Sequence, residues 1–280
     1  MSTFNYIEDE FEKFIKAIEK INAKLADEIF YLVQKNSNDG KLVFSIDMAD
    51  LEDQIKQILI SYGYKKLTDN FFQNLSFIKE ENLQTYSKLR GLDKFVKESE
   101  LLKLLEDNTI KNLRTTGINT GIINPLADEI RQMSLLNVSL KDFRLKMKNT
   151  FDTDQKFTKY INNVTKGVMN QFDGAIKKVI IDKYKPTGFY YVGGLLDSSR
   201  PFCIYMKDKY QNGKITFEQL KADLDLYAPG GIPSDKKIEL NGKYVKMGAG
   251  MMNGTTVETF PMYCGGCQNG CNHQVELTFV

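Results

Sequence analysis

One histidine, four cysteines and six prolines in 280 residues are small numbers, and each shortage excludes something. No apolar run approaches the roughly 20 residues that a membrane-spanning helix needs. The opening, MSTFNYIEDEFEKF, is acidic and interrupted where a secretory leader would be basic and then apolar, so the expectation is a protein made in a cytoplasm without secretion or membrane partner. Charge of one sign is scarce as well. Against 36 Asp plus Glu stand 38 Lys plus Arg, a net +2 that gives no global field for gripping a phosphate backbone. Nucleic acid is unsupported on this count, though not excluded. A cytosolic chain does not normally spend cysteines on disulfides, so the late cluster that follows Cys203 asks for a different explanation.

What is present describes an ordinary globular chain of one or two domains, 42 % hydrophobic and 26 % charged. From Phe4 to about Lys183 the only proline is Pro125, and apolar residues return at intervals of three and four: Ile7, Phe11, Phe14, Ile15, Ile18, Ile21, Leu25, Ile29 and Leu32. This spacing predicts an amphipathic helix of about seven turns, ended by Asn36-Ser-Asn-Asp-Gly40. Further helices are expected over Asp47–Tyr62, Asp69–Phe77, Leu83–Leu89, Leu92–Leu105, Pro125–Met133, Ser139–Asn149 and Phe157–Tyr184. Ser139, with Asp142 three residues on, carries the signature of a helix start. Such stripes bury themselves by packing on one another, so the Phe and Ile positions read as bundle core.

The character changes at Lys185-Pro-Thr-Gly188. Five of the six prolines lie beyond Lys185, and Gly188-Phe-Tyr-Tyr-Val-Gly-Gly194 and Lys243-Tyr-Val-Lys-Met read as short strands between turns. One helix, Thr216–Tyr227, interrupts them, with Thr216 as N-cap and Gln219 at the third position. The expected fold is therefore mainly α with a small α+β C-terminal module: a helical domain over 1–185, with long amphipathic helices packed as a bundle, then a cysteine-containing module over 186–280 with short strands and Gly-rich loops.

Two constellations carry the chemistry-bearing residues. Cys264-Gly-Gly-Cys267-Gln-Asn-Gly-Cys271-Asn-His273 contains the Cys-x-x-Cys spacing that brings two thiolates to one zinc ion, and Cys203 or His273 completes four ligands. The metal set is thus Cys203, Cys264, Cys267, Cys271 and His273, and the alternatives are one structural zinc or no cofactor, the cysteines then being reduced thiols beside glycine turns. A redox role lacks the helix N-terminus that stabilises a thiolate. The run Tyr263–Val280 has no Lys or Arg to contact phosphates, which argues against a zinc-dependent nucleic-acid module. The second constellation, Asp197-Ser-Ser-Arg-Pro-Phe-Cys203, suits a turn in which a carboxylate accepts backbone amides, and it has no base. Cys271 and His273 lack a third, orienting group, so no catalytic set is expected.

Together these motifs resemble the minor head, or Mu F-like head-morphogenesis, proteins of tailed bacteriophages. In that family the first motif is similar to Gly-Gly-hydrophobic-Asp-x-Ser/Thr-Arg-Pro-x-Cys, matched here by Gly193, Gly194, Asp197, Ser199, Arg200, Pro201, Phe202 and Cys203. The closing motif is matched by Gly265, Gly266, Cys271, His273 and Gln274. The helix around Tyr160–Gly174 is also similar, so the resemblance covers about residues 110–280; helices 110–185 are family-like and 1–109 are unmatched. Asn272 stands where the family has arginine, and Cys264, Cys267 and Gln268-Asn269-Gly270 are additions to the usual ending. The resemblance implies a pairing of Cys203 with Cys271. It also implies a non-catalytic virion structural protein in the head interior or the head–tail connector. Its implied partners are the portal protein and other head or connector proteins, in several copies, with contact to packaged DNA left open. The alternatives are a portal-proximal ring or adaptor, an ejected internal protein, and, from another class, a Cys/His-dependent enzyme or toxin-like effector.

Overall fold

The computed structural model describes residues 3–35, 37, 47–165, 168–195, 199–240, 242–263 and 273–279. In chain order these form α1 (Thr3–Lys35), α2 (Met48–Ser61), α3 (Tyr64–Thr85), α4 (Leu92–Lys97), α5 (Glu100–Arg114), α6 (Thr116–Ile118), α7 (Asn124–Leu135), α8 (Leu140–Lys148), α9 (Lys156–Thr165) and α10 (Val168–Tyr184). There follow β1 (Gly188–Val192), α11 (Pro201–Tyr210), β2 (Lys214–Ile215), α12 (Phe217–Tyr227), β3 (Lys237–Leu240), β4 (Lys243–Lys246), α13 (Phe260–Tyr263) and β5 (Gln274–Thr278). The fold is mainly α with a small α+β part near the C-terminus. Among the described residues, no helix is long and apolar enough to cross a membrane.

Two compact units interleave along the chain. One comprises residues 1–7, 75–105 and 166–280, the other 8–74 and 106–165. Composition and compactness divide the chain at different places, because residue 186, where prolines and glycines set in, lies within the first unit.

The unit of 8–74 and 106–165 is helical. On α1 the buried face is Phe14, Ile18, Ile21, Leu25, Ile29 and Val33, a run of three- and four-residue steps that places them on one stripe. Leu51, Ile55 and Leu59 of α2 and Phe71 of α3 are buried likewise, and the rings of Phe14 and Phe71 lie 5.1 Å apart. The buried Asn22 side chain donates to the Phe151 carbonyl at 2.7 Å. That carbonyl belongs to one of two single π-helical turns, Asn119–Ile123 and Asn149–Thr153, neither of which periodicity announces.

In the other unit, β1 is the middle strand of an antiparallel sheet ordered β2–β1–β5. Phe189 faces Ile215 on β2 and Leu277 on β5, and Tyr191 faces Val275. Alternation along β1 turns Phe189 and Tyr191 inward and leaves Tyr190 exposed. Helix α10 lies close to α13: a Cβ at Gly174 would stand 2.1 Å from the Pro261 carbonyl oxygen, so only glycine permits that approach. Strands β3 and β4 make a separate two-stranded ribbon, with Lys237 opposite Lys246 and Leu240 opposite Lys243.

Several sequence expectations change in detail. The helix expected over Leu92–Leu105 is two helices, because the Ser99 hydroxyl accepts the Leu102 amide and starts α5 afresh. The segments Asp69–Phe77 and Leu83–Leu89 are largely one helix, α3, which continues to Thr85. Phe157–Tyr184 is occupied by α9 and α10, with residues 166 and 167 outside the described set. The turn expected at Asn36–Gly40 lies, Ser37 apart, outside the described residues. At Ser139 the capping expectation is met: its hydroxyl accepts the Asp142 amide at 3.1 Å.

Candidate functional site

The two sequence motifs reach one place through Tyr191. This residue points inward from the middle strand because it shares the buried face of β1 with Phe189. Its hydroxyl donates to the Cys203 sulfur at 3.4 Å, and its ring stacks on the His273 imidazole with centroids 4.9 Å apart and planes 4° apart. Cys203 is the third residue of α11 and is 1 % exposed; His273 immediately precedes β5 and is 2 % exposed. Residues 70 positions apart in the chain thus flank one aromatic ring.

The local chain makes this placement natural. Arg200 has extended backbone angles and Pro201 occupies the first helical position, where its missing N–H costs no hydrogen bond. Helix α11 therefore begins inside the motif, which the sequence reading treats as a turn. Phe202, beside Cys203, packs against Phe260, which also meets Phe189 and Tyr191, with centroids between 5.8 and 6.3 Å. On the β5 side, Gln274 pairs with Val192 in the ladder while its side chain donates to Asn170 of α10 at 2.7 Å. Arg200 and Ser199 are half-buried. A Cβ at Gly250 would stand 2.6 Å from Cδ and Nε of Arg200, so the arginine stem rests on a glycine. Gly193 takes the left-handed φ of +113°, and the space around Gly194 is open.

Asp197, Cys264, Gly265, Gly266, Cys267 and Cys271 lie outside the described residues. Cys203 and His273 are the described members of the proposed metal set. Among the described residues, no third His, Cys, Asp or Glu joins them in a group that could hold a metal ion.

A second polar cluster, absent from the sequence expectations, joins α11 to α12. Asp223, 2 % exposed, accepts from the Tyr205 hydroxyl at 2.8 Å, from the Tyr210 hydroxyl at 2.6 Å and from the Lys209 ammonium. Burial, reinforced by the bond to Asp223, pushes the Tyr210 phenol up to about 12 and the Tyr205 phenol higher still. The Tyr205–Lys209 spacing of four along a helix, with Tyr210 next to it, is the one sequence signal that points here; the fourth member, Asp223, comes from another helix. Both clusters are built as anchors. Each ties a motif-bearing helix to a neighbouring element through a buried group, Cys203 in one and the Asp223 carboxylate in the other, where hydrogen bonds have strong consequences when broken.

Comparison with protein-family models, with curated proteins and with solved structures finds no match to this chain.

Proposed function

We propose that the chain is a virion structural protein of a tailed bacteriophage, a minor head protein at or near the portal that acts in head assembly or in DNA packaging and ejection. The observation that supports this reading most is the meeting of the Arg-Pro-Phe-Cys203 motif and the His273-Gln274 ending at Tyr191, one at its hydroxyl and the other on its ring. Two segments that resemble one family's paired motifs lie together in one three-dimensional module, as a shared architectural role requires. In this reading the module is a brace rather than a reaction centre. The portal protein and other head or connector proteins are the partners, and the helices, with their charged outer faces, are the docking elements. A structural zinc in the same module would take thiolates from Cys203, Cys264, Cys267 and Cys271, with His273 as the alternative nitrogen ligand.

The test is quantitative mass spectrometry of gradient-purified particles of the virus that encodes the chain, with copy number scored against the portal subunit in full and emptied heads. A ratio near or below that of the portal, kept in both fractions, is expected. Loss from emptied heads would mark an ejected internal protein. Absence from all particles would overturn the reading and turn attention to a Cys271–His273 enzyme, for which Cys271→Ser is the diagnostic variant.

A further inference from the structure

The region that resembles no family carries a feature of its own. A groove of about 350 Å³ runs beside α1 where α2 turns into α3, within the helical unit of 8–74 and 106–165. Lys20 and Lys24 enter it from α1, Lys66 from the first turn of α3 and Tyr62 from the link between α2 and α3, over a floor that includes Ile21 and Leu67. No carboxylate lines it.

The lysines there differ from their neighbours on the same helix. Lys13 pairs with Glu10 at 2.6 Å and Lys16 with Glu12 at 3.3 Å, as exposed helix lysines commonly do. Among the described residues, Lys20, Lys24 and Lys66 stand in no ion pair. Of the acids nearest the groove, Glu28 accepts the Tyr62 hydroxyl at its edge and Asp69 pairs with Arg114, while Asp27 also acts on Tyr62. Lys16, Lys20 and Lys24 succeed one another at four-residue steps, a spacing at which like charges repel on a helix. Lys65 and Lys66 stand in the first turn of α3, a helix with no acidic residue in that turn, where the backbone dipole is already positive. Two helices, α1 with Lys20 and Lys24 and α3 with Lys66, therefore concentrate positive charge at one concavity against their local preference, with Lys24 5.3 Å over the Tyr62 ring. A bound counter-charge removes that conflict.

We propose that this groove binds phosphate-bearing anions. Each ammonium offers three donors and a point charge, which suits phosphate oxygens approached from several directions. The apolar floor formed by Ile21 and Leu67 reduces competing solvent around the bound charge. The volume matches a small-molecule site, so the phosphates come either from a compact oligophosphate such as a nucleotide tail or from a short stretch of nucleic-acid backbone. The inference is independent of the virion reading and concerns the part of the chain, residues 1–109, that lies outside the family resemblance.

Isothermal titration of the full chain with sodium tripolyphosphate, and separately with a single-stranded oligonucleotide of twelve nucleotides, tests it. Saturable binding of at least one probe is expected, weakened tenfold or more in the Lys20→Gln/Lys66→Gln double variant and unchanged in Lys13→Gln. Circular dichroism with an unaltered melting temperature shows that the double variant remains folded; Lys24→Gln, which leaves both rims in place, gives an independent second reading and is expected to weaken binding several-fold. Tripolyphosphate binding alone assigns the site to compact oligophosphates, and oligonucleotide binding with a log K against log salt slope near −2 assigns it to backbone phosphates. No saturable binding of either probe, or binding indifferent to the lysine substitutions, overturns the proposal.

Discussion

Lys177 and Asp173 stand one turn apart on α10 with Nζ and Oδ2 at 2.6 Å, and both side chains are almost fully buried. Asn82 of α3 completes the group by donating to the other carboxylate oxygen at 2.8 Å. Two charges taken out of water in this way are held by mutual compensation, and removing one leaves the other without its partner.

Asp173→Ala is therefore expected to destabilise the protein by about 3–5 kcal/mol. A urea unfolding series followed by circular dichroism measures this. The double variant Asp173→Leu/Lys177→Met should recover much of the loss, because buried ion pairs exchange for apolar groups at small net cost. A double variant no better than the single one would show that the pair does not compensate in this manner.

Tyr191 separates two contributions that one substitution would blur. Tyr191→Phe removes only the hydroxyl on Cys203 and is expected to cost about 1 kcal/mol. Tyr191→Ala also removes the ring between His273 and Phe260, at about 3–5 kcal/mol. Differential scanning calorimetry on both variants checks the order, and equal losses would contradict the stacking role.

The Asp223 cluster predicts a decline of stability in alkali. Tyr205 and Tyr210 ionise near 10 in an unfolded chain, whereas burial and the bonds to Asp223 hold them protonated to higher pH in the fold. The unfolded state then binds fewer protons, so stability is full below about pH 10 and falls as pH rises toward about 12. Spectrophotometric titration should show a set of late-ionising phenols, Tyr64 and Tyr86 included, that shrinks by two in Tyr205→Phe/Tyr210→Phe, and at least one of that pair should ionise earlier in Asp223→Asn. Phenols that all titrate at the ordinary value would refute this.

Helix α12 starts with a reciprocal cap in which the Thr216 hydroxyl accepts the Gln219 amide at 3.2 Å and the Gln219 side chain accepts the Thr216 amide at 2.8 Å. Thr216→Ala is expected to cost about 1 kcal/mol and Thr216→Ser much less. The shift in denaturation midpoint distinguishes the two.

Much of the secondary structure is legible in the chain because its signals are local. The three- and four-residue spacing from Phe14 to Ile29 defines α1, Thr216 with Gln219 starts α12, and Ser139 with Asp142 starts α8. The signals fail where one polar contact decides a boundary. Ser99 divides an apolar stripe that periodicity reads as continuous, and the two π-helical turns leave no trace in the spacing. The start of α11 was concealed because Asp197-Ser-Ser-Arg-Pro has the composition of a turn, while Pro201 is equally suited to a first helical residue.

Local pattern alone suffices for the helical class, for two of the strand-forming segments (β1 and β4, but not β2, β3 or β5) and for marking Cys203 and His273 as residues worth following. Tertiary structure alone decided that these two share Tyr191, that an Asp–Lys pair with the spacing of a surface salt bridge is buried beneath Asn82, and that Asp223 gathers two phenols and an ammonium. The reason lies in range. Periodicity and capping depend on neighbours within about one or two helical turns, whereas burial and pairing depend on which distant segments pack together, and a chain read in order carries no direct record of that.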